Sequence, residues 1–570
     1  MGSDVKKPAN LVYGVDDSPP LAVTVFNGVQ HVGLIAINLV YPLLVFRVAD
    51  TPVHALTNLM AIGMLVLGVA TFLQALRLGP VGSGYMCPAT FSASYFPASL
   101  LAAKLGGLPL VFGMTIFAGV LEAALAPLLN RLRRIFPIEI SGLVIFMIGW
   151  SAGIAGLRLL LGTLADPVSA AEWSVAGITL ATMVALNVWG KGPVRMLCAL
   201  IGLAAGYAAA GFAGLVGAGQ LSEVGVAPWV GLPAFGQLSW SFDVALAAPF
   251  AIACLAASLK AVGTITVCQR MNDADWVRPD MQSAMRGVLA DGVSTALAGV
   301  AGAVGTNTST PAVGLASATG MASRKVAFAV GAIFMLLGLF PKLAAMLAVV
   351  PRPVVVAALL FAVSFLLING LQVITSRLLD ARRTLTIGLA IVAGGAVDVF
   401  PVIAASVPKA ASAVVGSSFV FATLIALALN VLFRIGVKKT VSLKIESEAI
   451  DPQKIEDFFK AHGAAWGARP DVVNRATFGV IQLVDAVRGE FWHRGAIEIE
   501  ASFDEFSLDV DLAYDGDVLE FPEQRPSNKE IRESEDGARL MAGFMLRKCA
   551  DRLRSKSKDA RANVHMHYDH

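Results

Sequence analysis

Apolar and polar positions divide the chain at about residue 440. Before that point apolar runs recur, most of them long enough for a helix to cross the ~30 Å core of a bilayer. We read seven in a first half, at roughly 22–46, 54–76, 84–101, 108–129, 136–160, 171–189 and 194–216. Seven more follow, at roughly 244–269, 281–300, 307–321, 325–349, 352–374, 383–400 and 411–435. After residue 440 the pattern becomes that of a soluble domain. VSLKIES alternates like a strand, 452–463 and Val472 to Val487 have helical periodicity, and strands are expected near 495–501 and 505–513. A closing helix is expected over Gly537 to Ser555.

Two of the runs are unlike ordinary membrane helices. Residues Gly79 to Ser94 (GPVGSGYMCPATFSAS) and Gly302 to Ser317 (GAVGTNTSTPAVGLAS) align without a gap, and both are rich in Gly, Pro, Ser and Thr. Their offset is 302 − 79 = 223 residues, so each falls at the third run of its half. An odd number of spans per half turns the second copy upside down. Paired interrupted segments in inverted repeats point to a midplane binding site. The simpler alternative is two small-residue helices in close contact.

The expected architecture is therefore an α-helical polytopic membrane protein with fourteen spans as seven-plus-seven inverted repeats, followed by a small cytoplasmic α+β domain. Its parts are a cytoplasmic N-terminal segment (1–20), a first repeat (21–216), an extracytoplasmic connection (217–241), a second repeat (242–437) and the C-terminal domain (441–570). Composition agrees. The 570 residues are 56% hydrophobic and 15% charged, with a mean hydropathy of +0.69, whereas a soluble chain carries about 25% charged residues.

Charge placement orients the chain. Arg77, Arg131, Arg133, Arg134, Lys191 and Arg195 follow even-numbered runs, as do Arg270, Arg278, Arg324, Lys325, Arg377, Arg382, Arg383, Arg434, Lys438 and Lys439. The connection from Gly217 to Ser241 has no Lys or Arg. With both termini in the cytoplasm of an inner-membrane protein, nearly every basic cluster lies inside; Lys342 and Arg352 are exceptions. The five cysteines are scattered without metal spacing, so no disulfide, metal or cofactor is expected, and no enzymatic site.

Several polar residues stand inside the runs. Thr306, Asn307, Thr308, Ser309 and Thr310 precede Pro311, and Ser83, Tyr85 and Cys87 precede Pro88. Extended backbone followed by a half-helix N-terminus offers free N–H groups and a positive dipole end to a small polar or anionic ligand. Hydroxyls bonding back to their own helices are the alternative for any single Ser or Thr. Gln30 and His31 form an intramembrane polar pair in the first run. Lys260 lies ten residues before Arg270, about 15 Å along a helix, so it faces a cavity unless it snorkels.

These residues together resemble the nucleobase–ascorbate transporters, the nucleobase:cation symporter-2 family of uracil, xanthine and urate permeases. The resemblance covers residues 20 to 436. It rests on Gln30–His31, GSGYMCPATFSASY, LKAVGTITVCQRMNDADWVRPD and GTNTSTPAVGLASATGMASR. It implies core and gate domains, a homodimer, elevator-type movement and coupling to H+ or Na+. Carried onto this chain, it implies substrate contacts by Tyr85, Cys87, Ala89, Thr90, Phe91, Lys260, Thr264, Thr306, Asn307, Thr308, Ser309 and Thr310. Gln30 and His31 would brace the core. The chain also departs from the family. Lys260 stands where many members have a glutamate, Thr264 where they have a histidine, and Pro311–Ala312 where a polar pair is usual. Both expected carboxylates are missing, which favours a purine such as xanthine or urate over uracil. The alternatives are a small-anion transporter of the same fold, or a sensor signalling through the C-terminal domain. That domain faintly resembles the histidine-kinase-like ATPase fold of anti-sigma-factor kinases, with Asp485, Ile481 and Tyr514 at degenerate positions.

Overall fold

Helices occupy most of the apolar runs. The chain is described by a computed structural model covering residues 6–9, 11–77, 79–129, 137–163, 166–235, 238–276, 279–376, 379–400, 402–408, 412, 414–433, 439–446, 451–488, 496–504, 507–516, 519–526, 537–558 and 561–569. Arg131, Arg133, Arg134, Arg278, Arg377, Arg434 and Lys438 of the charge argument lie outside these residues. The chain separates into two units, Met1–Asn430 and Val431–His570.

In the first unit, seven described helices are long and apolar enough to cross a membrane. They are Leu21–Val48, Val53–Ala75, Phe96–Leu128, Glu139–Leu161, Ala170–Trp189, Val244–Asn272 and Arg352–Ile374. Counting Arg324–Gly338 with Pro341–Ala348, which bend by 80° at their junction, gives eight. Shorter or less apolar helices occupy the remaining runs, including Cys198–Phe212, Met281–Ala301, Ala381–Val399 and Ser418–Phe433. The first unit is thus a helical polytopic membrane body.

Two breaks interrupt this body, and only the first of them was not anticipated. The first helix loosens into a 3-10 turn at Ala36–Leu39, between Leu21–Ile35 and Val40–Val48. The helix Phe96–Leu125 breaks at Gly106 and Gly107, where Gly107 has φ 64° and ψ −158°, a conformation that a Cβ forbids. That break separates the third expected run from the fourth. Helices Phe96–Leu125 and Met281–Ala301 pack backbone to backbone, since a Cβ on Gly292 would lie 2.5 Å from the amide nitrogen of Ala123.

Strands interrupt the helices in chain order. β1 (Ala89–Phe91) lies in the first copy of the repeated stretch, β2 (Gly162–Thr163) and β3 (Asp166–Pro167) form a short hairpin, and β4 (Thr306–Thr308) lies in the second copy. Ahead of the first helix, an N-terminal arm runs over the turn at Gly320–Arg324. Val12 and Tyr13 donate backbone N–H groups to Gly320 O at 3.0 Å, and Ala322 and Arg324 donate to Tyr13 O and Val15 O.

The second unit has its own apolar core. β5 (Lys439–Ile445), β6 (Ile497–Phe503), β7 (Ser507–Asp515), β8 (Arg552–Lys558) and β9 (Arg561–Asp569) make an antiparallel sheet in the order β5-β6-β7-β9-β8. Its inner face, including Ile499, Val510, Leu512, Tyr514, Val564 and Tyr568, packs with the helices Pro452–Trp466, Pro470–Arg488 and Gly537–Cys549. The expected closing helix is corrected here: it ends at Cys549 rather than Ser555, and the β8–β9 hairpin follows. RLRSKSK alternates as a strand should, but only Leu553 and its neighbours in register face inward, so the strand carries little apolar signal.

Candidate functional site

The two copies of the repeated stretch meet. β1 and β4 pair antiparallel, with Ala89 opposite Thr308, Thr90 opposite Asn307, and Phe91 opposite Thr306. The contact extends past the strands, where Ser309 N–H donates to Pro88 O at 2.8 Å and Ser92 N–H to Gly305 O at 3.0 Å. Each strand leads towards a helix: Phe96 onwards after β1, and Thr310–Thr319 after β4, capped by Ser309 Oγ accepting from Ala312 N–H at 3.4 Å. All three β4 residues and Ser309 are buried. Non-helical backbone inside an apolar body survives only when protein surrounds it, and here each strand supplies the other's partners.

The side chains around the pair come from five helices. Asn307 Nδ2 donates to Ala257 O at 3.0 Å, tying β4 to the helix Ala247–Asn272. Thr90 Oγ1 accepts from Asn38 Nδ2 at 2.7 Å, and Asn38 is delivered by the 3-10 turn of the first helix. Thr71 Oγ1 accepts from Ala89 N–H, and Thr295 Oγ1 donates to Thr306 O while accepting from Thr306 N–H. Thr264 donates to Lys260 O at 2.9 Å, so its hydroxyl proton is committed and Thr310 donates to it across 2.7 Å. His31 is fully buried, with Nδ1 2.8 Å from Asn27 O and Nε2 3.2 Å from Ala312 O, which joins the first helix to the half-helix after β4. A neutral imidazole donates to one of these carbonyls at a time.

Charge is concentrated beside the pair. Asp291, buried in the helix Met281–Ala301, accepts from Gln74 Nε2 at 2.8 Å and from Thr308 N–H at 3.1 Å. Gln74 also donates to Gly287 O, and Ser83 Oγ donates to Gln74 O. The half-buried Lys260 lies within electrostatic reach of Asp291. A second buried carboxylate, Glu122, accepts from Tyr95 OH at 2.7 Å and Ser258 Oγ at 3.3 Å, and lies within electrostatic reach of Asp291. A Cβ added at Gly263, three residues along the same helix from Lys260, or at Gly314 would meet nothing within 4 Å, so open space adjoins both glycines.

The expected residues do not all gather on one surface. Thr90, Asn307, Thr264, Thr310 and Lys260 cluster around β1, β4 and the helix Ala247–Asn272. Phe91 packs into the apolar core, 3.0 Å from where a Cβ on Gly63 would sit. Cys87 is buried among Ile265, Cys268 and Val313, with half-buried Tyr85 against that group. Gln30 is half-buried, and its side chain forms no hydrogen bond among the described residues. Sequence reasoning passed over Asn38, Gln74, Glu122 and Asp291. The available signal was an acid or amide inside an apolar run, which is rare without a task. A separate open cavity of about 320 Å³, lined by Arg47, Glu172 and Arg352 among others, contains none of the strand-pair residues.

The Permease family, of the xanthine/uracil type, matches residues 22–403. A putative purine permease of Clostridium perfringens is 28% identical over 439 residues, covering 75% of this chain and 93% of the relative. The xanthine permease XanP of Escherichia coli is 26% identical over 441 residues, covering 75% and 95%. The uric acid permease PucJ of Bacillus subtilis is 29% identical over 433 residues, covering 72% and 93%. Among solved structures, the transmembrane domain of the cyanobacterial bicarbonate transporter BicA aligns with a TM-score of 0.46 at 14% identity, over 74% of this chain and 100% of that one. The murine anion transporter Slc26a9 aligns at 0.46 and 12%, over 77% and 73%. With a family match across most of its length and apolar helices throughout that span, the chain belongs to the xanthine, uracil and urate permease family and is a multi-pass membrane transporter.

Proposed function

We propose that this protein is an ion-coupled symporter of a purine nucleobase, xanthine or urate in preference to uracil, working by an elevator-type shift of a core domain against a gate. The observation that carries this reading is the β1–β4 pair, with Thr90, Asn307, Thr310, Lys260 and Asp291 brought around it from both halves of the chain. Purine-type relatives over nearly their whole length support a nucleobase substrate. No observation beyond Lys260 itself favours the small-anion or sensor readings.

In this reading the substrate occupies the space over Gly263 and Gly314, where it meets the N-terminal end of the helix Thr310–Thr319 and the Lys260 ammonium. Asp291 takes the place of the family carboxylates that sequence reasoning found missing. It holds the coupling H+ or Na+ and balances Lys260 when the site is empty. Gln30 and His31 brace the half-helix. Fourteen spans in inverted repeats, a homodimer, an inner-membrane location and cytoplasmic termini complete the proposal. The second unit is regulatory or dimer-forming and hydrolyses no ATP, a reading supported by Tyr514 being fully buried in its sheet.

The test is thermal stabilisation of the purified protein by xanthine, urate, uracil, bicarbonate and sulfate, followed by uptake into proteoliposomes. A ligand at 100 times its Kd adds about 2.7 kcal/mol. Stabilisation and uptake with a purine support the proposal; stabilisation only by simple anions, or binding without uptake, overturns it. Within the site, Lys260→Glu shifts preference towards neutral bases, and unchanged affinity for every ligand removes Lys260 from it.

A further inference from the structure

The outer face of the C-terminal sheet carries a side-chain cluster that the transport reading does not use. β9 ends in the stretch His565-Met566-His567-Tyr568-Asp569, and alternation puts His565, His567 and Asp569 on the face away from the core. β7 offers Asp509 and Asp511 on the same face, directly opposite His567 and His565 in register. One oxygen of Asp509 lies 2.5 Å from His567 Nδ1 and 3.7 Å from His565 Nε2. The ligand atoms of Asp509, His565 and His567 all fall within 4.8 Å of one another.

What separates this cluster from ordinary surface ion pairs is the far side of each ring. His565 Nδ1 lies 2.9 Å from Asp511 Oδ1, and His567 Nε2 lies 3.2 Å from Asp569 Oδ1. Each imidazole therefore turns one nitrogen towards a common point beside Asp509 while a separate carboxylate takes the N–H of the other nitrogen. Carboxylates in that outer position fix the tautomer and aim the ring in metal centres. Three carboxylates here also outweigh the exposed Arg552 and Arg554, the register neighbours of the two histidines on β8.

We propose that Asp509, His565 and His567 bind a divalent transition metal of the Zn2+ class, with Asp511 and Asp569 orienting the two rings. Two imidazoles and one carboxylate suit Zn2+, Co2+ or Ni2+ and not the all-oxygen preference of Mg2+ or Ca2+. The three protein ligands leave a coordination position for water, and Asp509 and His565 are open enough to solvent to admit it. Cysteine spacing gave no expectation of a metal because the ligands are His and Asp, and they converge only once β7 pairs with β9. Bound metal would clamp the last strand to its neighbour.

The experiment uses the full-length protein in detergent, free of any affinity tag and stripped with a chelator. Zn2+ is titrated in competition with a chromophoric chelator, and metal content is measured after desalting. Wild type is expected to retain one equivalent that His565→Ala/His567→Ala lacks. Asp509→Asn should weaken binding at least 10-fold, and Asp511→Asn by roughly 10- to 100-fold, as outer-sphere substitutions do. His462→Ala, on a helix of the same unit, should bind as wild type does. Each variant is checked for monodispersity, and Co2+ spectra of the intact wild type report His and carboxylate ligation independently of any substitution. No retained Zn2+ in wild type, or the same equivalent in the double variant, overturns the proposal.

Discussion

Asp291 and Lys260 illustrate what a buried charge demands of its surroundings. The carboxylate accepts two hydrogen bonds, from Gln74 and from the Thr308 amide, and has a cation within reach. Removing the carboxylate leaves the half-buried Lys260 ammonium without its nearby anion. Asp291→Asn keeps the shape and the Thr308 contact but removes the charge. We expect purine uptake into proteoliposomes to fall at least tenfold, with a lowered melting temperature; uptake at the wild-type level would detach Asp291 from transport. These residues also mark the limit of sequence reading. Lys260 was conspicuous as a cation deep inside an apolar run and at a position of the family motif, whereas the same kind of signal at Asp291, in GVLADGVSTALAG, belonged to no motif and went unread. Only the fold brings it to β4.

At the scale of elements, periodicity and length located the helices of the membrane body and most elements of the second unit. It failed where composition concealed geometry. Ala36–Leu39 reads as continuous helix because Ala, Ile and Leu surround Asn38, and the turn there is set by tertiary contact with Thr90. Close helix packing was equally hidden. Gly292→Leu places a side chain against the Ala123 backbone, which cannot yield as a side chain tip can. The expected result is a loss of about 3 kcal/mol in stability, read as a fall in the melting temperature; an unchanged melt would mean the two helices separate freely. The N-terminal arm supplies a pH test. Lys7 Nζ and the Gly14 amide donate to Asp17 at 2.7 and 2.8 Å and hold its carboxyl below the ordinary value. A depressed carboxylate contributes stability above its unfolded pKa of about 3.9, and that contribution disappears as pH falls through the folded value. Amide protection of the arm, corrected for intrinsic exchange, should hold from pH 7 down to about 5 and drop below about 4. Lys7→Met should move the drop to higher pH, and coincident profiles would mean that Lys7 does not set it.

At the scale of the whole molecule, each unit has its own apolar core among the described residues. A chain ending at Asn430 is therefore expected to retain uptake in proteoliposomes. Complete loss of transport in a truncated protein that remains monodisperse would make the second unit part of the transport machinery. The repeated stretch was legible from the sequence at this scale because duplication leaves identities at a fixed offset. That the two copies hydrogen-bond to each other was not, because a three-residue strand has no periodicity to read.

That pairing has a consequence for how the protein is made. Thr90 and Asn307 are opposite each other but 307 − 90 = 217 residues apart. At ~5–20 residues per second, the ribosome delivers the second strand roughly 10–40 s after the first. During that interval the Pro88 carbonyl and the Ser92 amide lack the partners that Ser309 and Gly305 give them, a condition that hydrocarbon tolerates poorly. The nascent first half must wait in a wet or chaperoned setting, such as the insertion machinery itself, until its mirror copy arrives. A ribosome stalled between residues 91 and 306 should consequently yield a half-protein that stays with the insertion machinery or is degraded, and never a free half-transporter.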